Sequence, residues 1–271
     1  MAEADGAGTP RERYRAQVRA EIKQHAWEQI GTAGASGLSL NAIAKQMGLS
    51  GPALYRYFSG RDELITELVR DAYRSLADTL HAVAAESGSA SPGAEPSASG
   101  KAAGAESSVS GKAAGAESSV SGKAAGAEPS ATGKAATGTS RTADLAELAH
   151  ALRGWALEDP NRYFLVYGTP VPGYHAPDDT TLIADEIMRM LLDACMALPP
   201  RREPAPFAAH IVEHRQWAEG HPAPPAALHK ALTFWTRLHG VLSLEAAGHF
   251  SGMGFDPARL FDAELDDLLD G

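Results

Sequence analysis

The chain is 271 residues long and carries 34 Asp/Glu against 24 Lys/Arg, a formal charge of -10, so nothing in the total advertises nucleic acid. Its 44% hydrophobic residues suffice for a buried core, and the length allows two domains or one domain plus an insert. Cys195 is the only cysteine, which excludes an internal disulfide and any paired-cysteine metal motif. The opening residues lack an apolar signal core and no run of about 18 apolar residues follows, so the expectation is a cytoplasmic protein without membrane spans.

Residues 1–10 read as a frayed tail. From Arg11 to Ala33 the apolar positions Val18, Ile22, Trp27 and Ile30 recur at helical spacing, predicting an amphipathic helix. Ser39 can cap a second helix, Leu40 to Met47, which stops at Gly48. Ser50 can cap a third, roughly Gly51 to Tyr57, with Pro52 in its first turn. Ser59-Gly60-Arg61-Asp62 has the form of a capping box and opens a long helix with the stripe Leu64, Ile65, Leu68, Val69, Ala72, Tyr73, Leu76 and Leu80. Between Arg11 and Arg61 eight Lys/Arg stand against three acids, so a locally basic module precedes an acidic remainder.

Residues 87–140 change character. The string SGKAAGAESSV runs from Ser99 to Val109, repeats from Ser110 to Val120, and degenerates from Ser121 to Ala131. The 11-residue period offers no apolar seam, because each copy has two glycines and at most one valine. Composition therefore predicts a disordered low-complexity insert lengthening a loop between two helices.

Helical patterning resumes near Asp144 and ends at Asp159-Pro160. A short aromatic segment follows, Asn161 to Val166, then a Pro/Gly loop from Thr169 to Asp179. Helices are expected over Thr180 to Leu198, Phe207 to Trp217, Ala226 to Phe250 and Asp256 to Leu269. No segment alternates with period two, so the fold class is all-α, divided into residues 11–59, a connecting helix over 60–86, and a second helical domain over 141–271.

A helix-turn-helix needs a supporting helix, a tight turn and a second helix able to enter the major groove. The string SLNAIAKQMGLSGPALYRYF from Ser39 supplies them in order, with Ala42, Ile43 and Met47 inward, Gly48 at the turn, Leu49 as plug and Leu54 as anchor. Gly37 to Leu68 closely resembles the signature of the TetR family of bacterial regulators. The resemblance rests on Leu38-Ser39-Leu40, Ile43-Ala44, Met47-Gly48-Leu49-Ser50, Ala53 to Phe58 and Arg61 to Leu64. It implies that Ser39 and Tyr57 contact phosphates. Arg61 stands where the family usually has a Lys on the DNA backbone, and Ser50, Gly51, Ala53, Tyr55 and Arg56 would face the groove. Gly51 departs from the pattern, where a larger polar or basic residue is common. Phe58 reads as core. Arg11, Arg13 and Arg15 read either as a solvated helix start or as a basic arm that reaches DNA.

Trp235-x-x-x-His239-Gly240, with Leu244, Glu245 and Gly248 beyond it, is similar to the Trp-x-x-x-His-Gly subclass of TetR C-terminal domains, as is Trp155 to Phe164. That resemblance implies a homodimer through the last two helices, and Gly240 and Gly248 are small enough for close helix crossing. Candidates for an effector pocket are Trp155, Phe164, Tyr167, Tyr174, Met188, Leu192, Trp217 and Phe234. His210 and His214 are spaced i, i+4, but no third or fourth ligand accompanies them, so no metal and no cofactor is expected. Nucleophile elbows, phosphate loops and dinucleotide glycine sets are missing, so an enzyme is not expected either. The reading is a repressor on palindromic double-stranded operator DNA, released by a small, mainly apolar or aromatic effector. An activator or ligand-independent regulator of the same fold is the alternative.

Overall fold

The computed structural model describes residues 9–89, 136–199, 205–218 and 220–270, and among them there are helices and no strands. The repeats, and all of the predicted insert between 90 and 135, lie outside the described residues, as does the tail up to residue 8.

Helix α1 (Pro10–Ala33) begins at a capping box. The Thr9 hydroxyl accepts the Glu12 amide at 3.3 Å, and the Glu12 carboxylate accepts the Thr9 amide at 2.7 Å. The helix therefore starts inside the stretch read as tail. Its buried stripe is Val18, Ile22, Ala26 and Ile30, each four apart. Trp27, expected inward, lies at the edge and touches two cores at once. Helix α2 (Leu40–Gln46) is capped by the Ser39 hydroxyl, which accepts the Ala42 amide at 3.4 Å. It buries Leu40, Ile43 and Ala44; Ala42 points to solvent, one residue off the expected stripe.

Gly48 then takes φ of 66°, conformational space that a Cβ would disfavour. The Leu49 amide bonds the Ala44 carbonyl at 2.8 Å and the Gly48 amide the Lys45 carbonyl, closing the α2 end and setting the angle into α3 (Gly51–Leu54). Ser50 occupies the cap position of α3, but its hydroxyl makes no capping bond. The next box is shifted by one residue from the sequence reading. Glu63, not Asp62, reaches back, accepting the Ser59 amide at 2.6 Å. That bond, with help from Arg19, holds the Glu63 carboxyl below its ordinary range.

Helix α4 (Arg61–Ser89) is the spine. Its first turns give Leu64, Ile65, Leu68 and Val69 to the core of the N-terminal module. Its later turns give Ala72, Leu76, Ala77 and Leu80 to a second, larger core. Helices α5 (Ala136–Glu158), α6 (Pro160–Tyr167), α7 (Asp178–Met196), α8 (Ala205–Glu213), α9 (Pro225–Ala246) and α10 (Pro257–Asp270) pack around that second core. The ends of α4 and α5 run into the stretch read as insert, over 87–89 and 136–140.

Three ion pairs fasten the body's far side. Arg153 on α5 grips Glu245 on α9, and Arg237 on α9 reaches Glu264 and Asp267 on α10 at 3.0 and 2.7 Å. Gly248 does not lie in the long helix as expected. At φ of 75° it stops α9, with the His249 amide on the Leu244 carbonyl at 2.9 Å, the same left-handed cap that ends α2. Gly240 is within α9 on an exposed face, with open space where a Cβ would stand.

Candidate functional site

The edge expected to face DNA is built by burying the apolar side of the module and leaving the other side polar. Leu54 and Phe58, both fully buried, lock α3 and the turn behind it onto the core. This leaves Tyr55 half exposed at 50% and Arg56 exposed, while Ala53 and Tyr57 are partly covered. Ser39, Ser50 and Gly51 lie along the same polypeptide edge, Ser39 and Ser50 exposed. The residues expected to meet a duplex are thus on neighbouring turns.

Arg19 fixes this edge from behind. Its guanidinium stacks 4.1 Å from the Phe58 ring centroid, donates to the Tyr57 carbonyl, and lies 3.4 Å from the Glu67 carboxylate. Arg61 is also committed inward, donating at 2.8 Å to the Ala35 carbonyl in the 3-10 turn at Ala35–Gly37. Lys23 pairs with Asp71. The excess of basic residues in the module therefore divides. Arg19 and Lys23 pair with carboxylates and Arg61 holds a carbonyl, while Arg11, Arg13, Arg15, Lys45 and Arg56 are exposed and make no ion pair among the described residues. Sequence counting could not make this division, because it depends on which carboxylates the fold brings near.

The eight residues expected around an effector do not converge on one cavity. Trp155 is buried, its indole N–H donating to the Ser75 hydroxyl at 3.2 Å and its ring covered by Arg162 at 4.6 Å. Phe164 and Tyr167 pack within an aromatic cluster of α6 and α9. There the Tyr163 hydroxyl lies 3.0 Å from Nδ1 of His239, and the Tyr167 and Trp235 rings stand 4.5 and 4.2 Å from the His239 ring. Burial pushes the Tyr163 phenol up to about 12 and His239 down to about 4. Met188, Leu192 and Trp217 line a hollow of about 260 Å³ beside α7, with Asp185 and Arg189 at its edge. Phe234 lines a small apolar void between α4, α5, α7 and α9.

Tyr174 alone among the eight lines the cleft that joins the two halves. That cleft, about 330 Å³, lies between Ile65, Val69 and Tyr73 of α4, Leu165 and Val166 of α6, the loop through Val171 and Tyr174, and Thr180 and Ala184 of α7. Gly168 makes the loop possible, since a Cβ there would fall 2.4 Å from the Phe164 carbonyl oxygen. The loop is anchored on both sides. Val171 is buried in the N-terminal core, the Tyr174 hydroxyl meets the Thr66 hydroxyl at 3.1 Å, and Asp179 pairs with Arg70. Most of these lining residues were missed from sequence because they belong to helices read separately; the loop's aromatic content was the one available signal.

His210 and His214 stack at 4.2 Å, with Nδ1 of His214 on the His210 carbonyl, and no cluster of metal-ligating side chains occurs among the described residues. Cys195 is buried, and burial raises its thiol to about 12, far from a reactive thiolate. No helix of the described residues is long and apolar enough to cross a membrane.

Fold and interface together define a helix-turn-helix regulator, a DNA-binding module carried on an all-helical body. Residues 22–68 match the family model described as bacterial regulatory proteins of the tetR family, and residues 145–268 match a tetracyclin repressor-like C-terminal domain. The HTH-type transcriptional regulator Rv1816 of Mycobacterium tuberculosis is 31% identical over 260 residues, covering 92% of this chain and 90% of that protein. The regulator Mb1846 of Mycobacterium bovis matches to the same extent. The crystal structure of SCO4313, a candidate regulatory protein, is 57% identical and superposes with a TM-score of 0.71 over 97% of this chain and 100% of that one. A Rhodococcus sp. RHA1 protein of unknown function, 19% identical with a TM-score of 0.56 over 94% of each chain, shares the fold. The chain belongs to the TetR family of transcriptional regulators, and it is a DNA-binding protein.

Proposed function

We propose that this regulator is a repressor that binds a palindromic operator as a homodimer and is released when a small, mainly apolar or aromatic effector enters the junction cleft. The observation that carries the reading is the cleft itself. Its walls are α4, which holds the DNA-binding module, and α6, α7 and the loop of the sensing body. A ligand there would press on both halves at once, so its binding energy could favour one orientation of the module over another. At about 25 cal/mol per Å² of apolar surface, burying a few hundred Å² of an effector supplies several kcal/mol, enough to shift a two-state equilibrium strongly.

Helix α6 is suited to pass that change onward. Leu165 packs on the N-terminal core, while Tyr163 is buried in the body against His239 of α9. The strip Thr236, Gly240 and Leu244 on α9 is exposed, and Met253 and Phe255 in the following loop are exposed apolar residues. These features support a dimer through α9 and α10, and the contact of Trp235 with His239 beside the open Gly240 supports the Trp-x-x-x-His-Gly subclass.

The test is a titration of hydrophobic and aromatic compounds against the protein–operator complex, with light scattering of the free protein. Compounds that bind should release operator, and Ala184→Trp, which fills the cleft, should blunt that release while DNA binding persists. Compounds that bind tightly yet leave operator affinity unchanged would refute the coupling, and a stable monomer at micromolar concentration would refute the dimer.

A further inference from the structure

Helix α1 runs on past the core it helps to form. Arg11, Tyr14 and Arg15 share a face with Val18, Ile22 and Ala26, the stripe that is buried further along the helix, because steps of three and four residues return to the same side. On this overhanging turn none of the described residues buries the inward face: Arg11 and Arg15 are exposed and Tyr14 is 64% exposed. An inward helix face that changes from Val, Ile and Ala to Arg, Tyr and Arg where the core ends is built to meet something anionic rather than apolar.

Its position identifies what. The Arg15 guanidinium lies 3.4 Å from the Arg56 carbonyl, at the end of the turn that follows the recognition helix, and Arg19, one turn on, holds the neighbouring Tyr57 carbonyl. The overhang is therefore alongside the edge that faces DNA. Glu63 is the acid whose charge Arg15 feels, but its ion pair is with Arg19, and Arg11 makes no hydrogen bond or ion pair among the described residues. The capping box at Thr9 and Glu12 keeps the turn helical, so the two guanidiniums are held in place and not carried on a loose arm.

We infer that Arg11 and Arg15 form a second DNA-binding surface that grips the phosphate backbone beside the major groove entered by the recognition helix, with Tyr14 packed between them. This rests on the DNA-binding role and adds to it a contact outside the helix-turn-helix. Arg11 and Arg15 are about 6 Å apart along the helix axis. Each strand of a duplex offers a phosphate about every 3.4 Å along its axis, so the two residues can serve different phosphates. Arg13, two residues from each, points to the opposite side of α1 and takes no part.

The experiment measures affinity for a duplex selected by the wild-type protein, by fluorescence anisotropy over a series of salt concentrations. Arg11→Ala with Arg15→Ala should weaken binding by about tenfold at physiological salt and lower the salt slope by about two, equally for selected and unrelated duplexes. Arg11→Ala alone, which removes no contact within the protein, should lower the slope by about one without changing the melting temperature. Replacing both by Lys should restore the slope. Arg13→Ala should leave it unchanged. A wild-type slope in the Arg11/Arg15 double variant would overturn the proposal, and so would an equal loss from Arg13→Ala, which would indicate diffuse charge rather than a gripping face. Absence of wild-type affinity for every duplex tested would instead sink the DNA-binding role on which it rests.

Discussion

Acid should loosen this protein through His239 in particular, and the size of the effect follows from its surroundings. Its ring is enclosed by Tyr163, Tyr167 and Trp235, none of which offers a negative charge, so burial lowers it from the ordinary 6.5 to about 4. The sign follows from proton counting. Between these two values the unfolded chain binds a proton that the folded chain refuses, so stability is fully present above about pH 6.5 and falls as the pH drops toward 4. Each tenfold change in proton affinity is worth about 1.4 kcal/mol, which makes the loss about 2 kcal/mol per chain at pH 5 and about 3 kcal/mol below pH 4. For a body of this size, 2 kcal/mol corresponds to roughly 4–8 °C in melting temperature. The assay is thermal unfolding between pH 7.5 and 5 at one protein concentration, wild type against His239→Gln, which keeps a polar group near the Tyr163 hydroxyl but cannot titrate. The wild type should lose about 4–8 °C more than the variant over that interval. Parallel curves for the two proteins would refute the reasoning, because the acid sensitivity would then lie elsewhere.

Three further outcomes follow from the same geometry. Phe58→Ala empties a fully buried site and removes the ring under Arg19, so it should destabilise the DNA-binding module by about 3–5 kcal/mol and abolish operator binding, measurable by denaturant unfolding and gel shift. Arg61→Ala should lower stability by about 1–2 kcal/mol through the lost bond to the Ala35 carbonyl, with a nearly unchanged salt slope; a slope lower by one with stability intact would make Arg61 a phosphate contact instead. Tyr174→Phe removes the hydroxyl that meets Thr66 and should cost about 1 kcal/mol while shifting the effector concentration needed for release, read from dose–response curves on the operator complex.

The DNA-binding module was legible in the chain because its signals are local. Ser39, Gly48 and the stripe through Ile43, Leu54 and Phe58 act over spacings of one or two turns, where cap chemistry and periodicity decide conformation. Local reading failed by one or two residues where nearby positions offered the same chemistry. Glu63 and not Asp62 is the carboxylate that accepts the Ser59 amide ahead of α4. Ala44 and not Ala42 is buried, because Leu40 sets the stripe.

What no local signal could carry was which distant groups would meet. Arg61 reads as a DNA contact in one dimension, yet the fold sets Ala35 within its reach; Arg11 and Arg15 meet no carboxylate among the described residues because α1 overshoots the core. The aromatic residues from Trp155 to Phe234 advertise a pocket by type, but packing disperses them, Phe164 and Tyr167 into the α6–α9 cluster and Trp155 against Ser75 and Arg162, and leaves the junction cleft to Val69, Val171, Tyr174 and Ala184. Residue type sets what a side chain can bind. Only the tertiary structure decides whether a neighbour in the same protein already satisfies it, because that depends on contacts between residues a hundred positions apart, such as Thr66 with Tyr174 and Arg70 with Asp179.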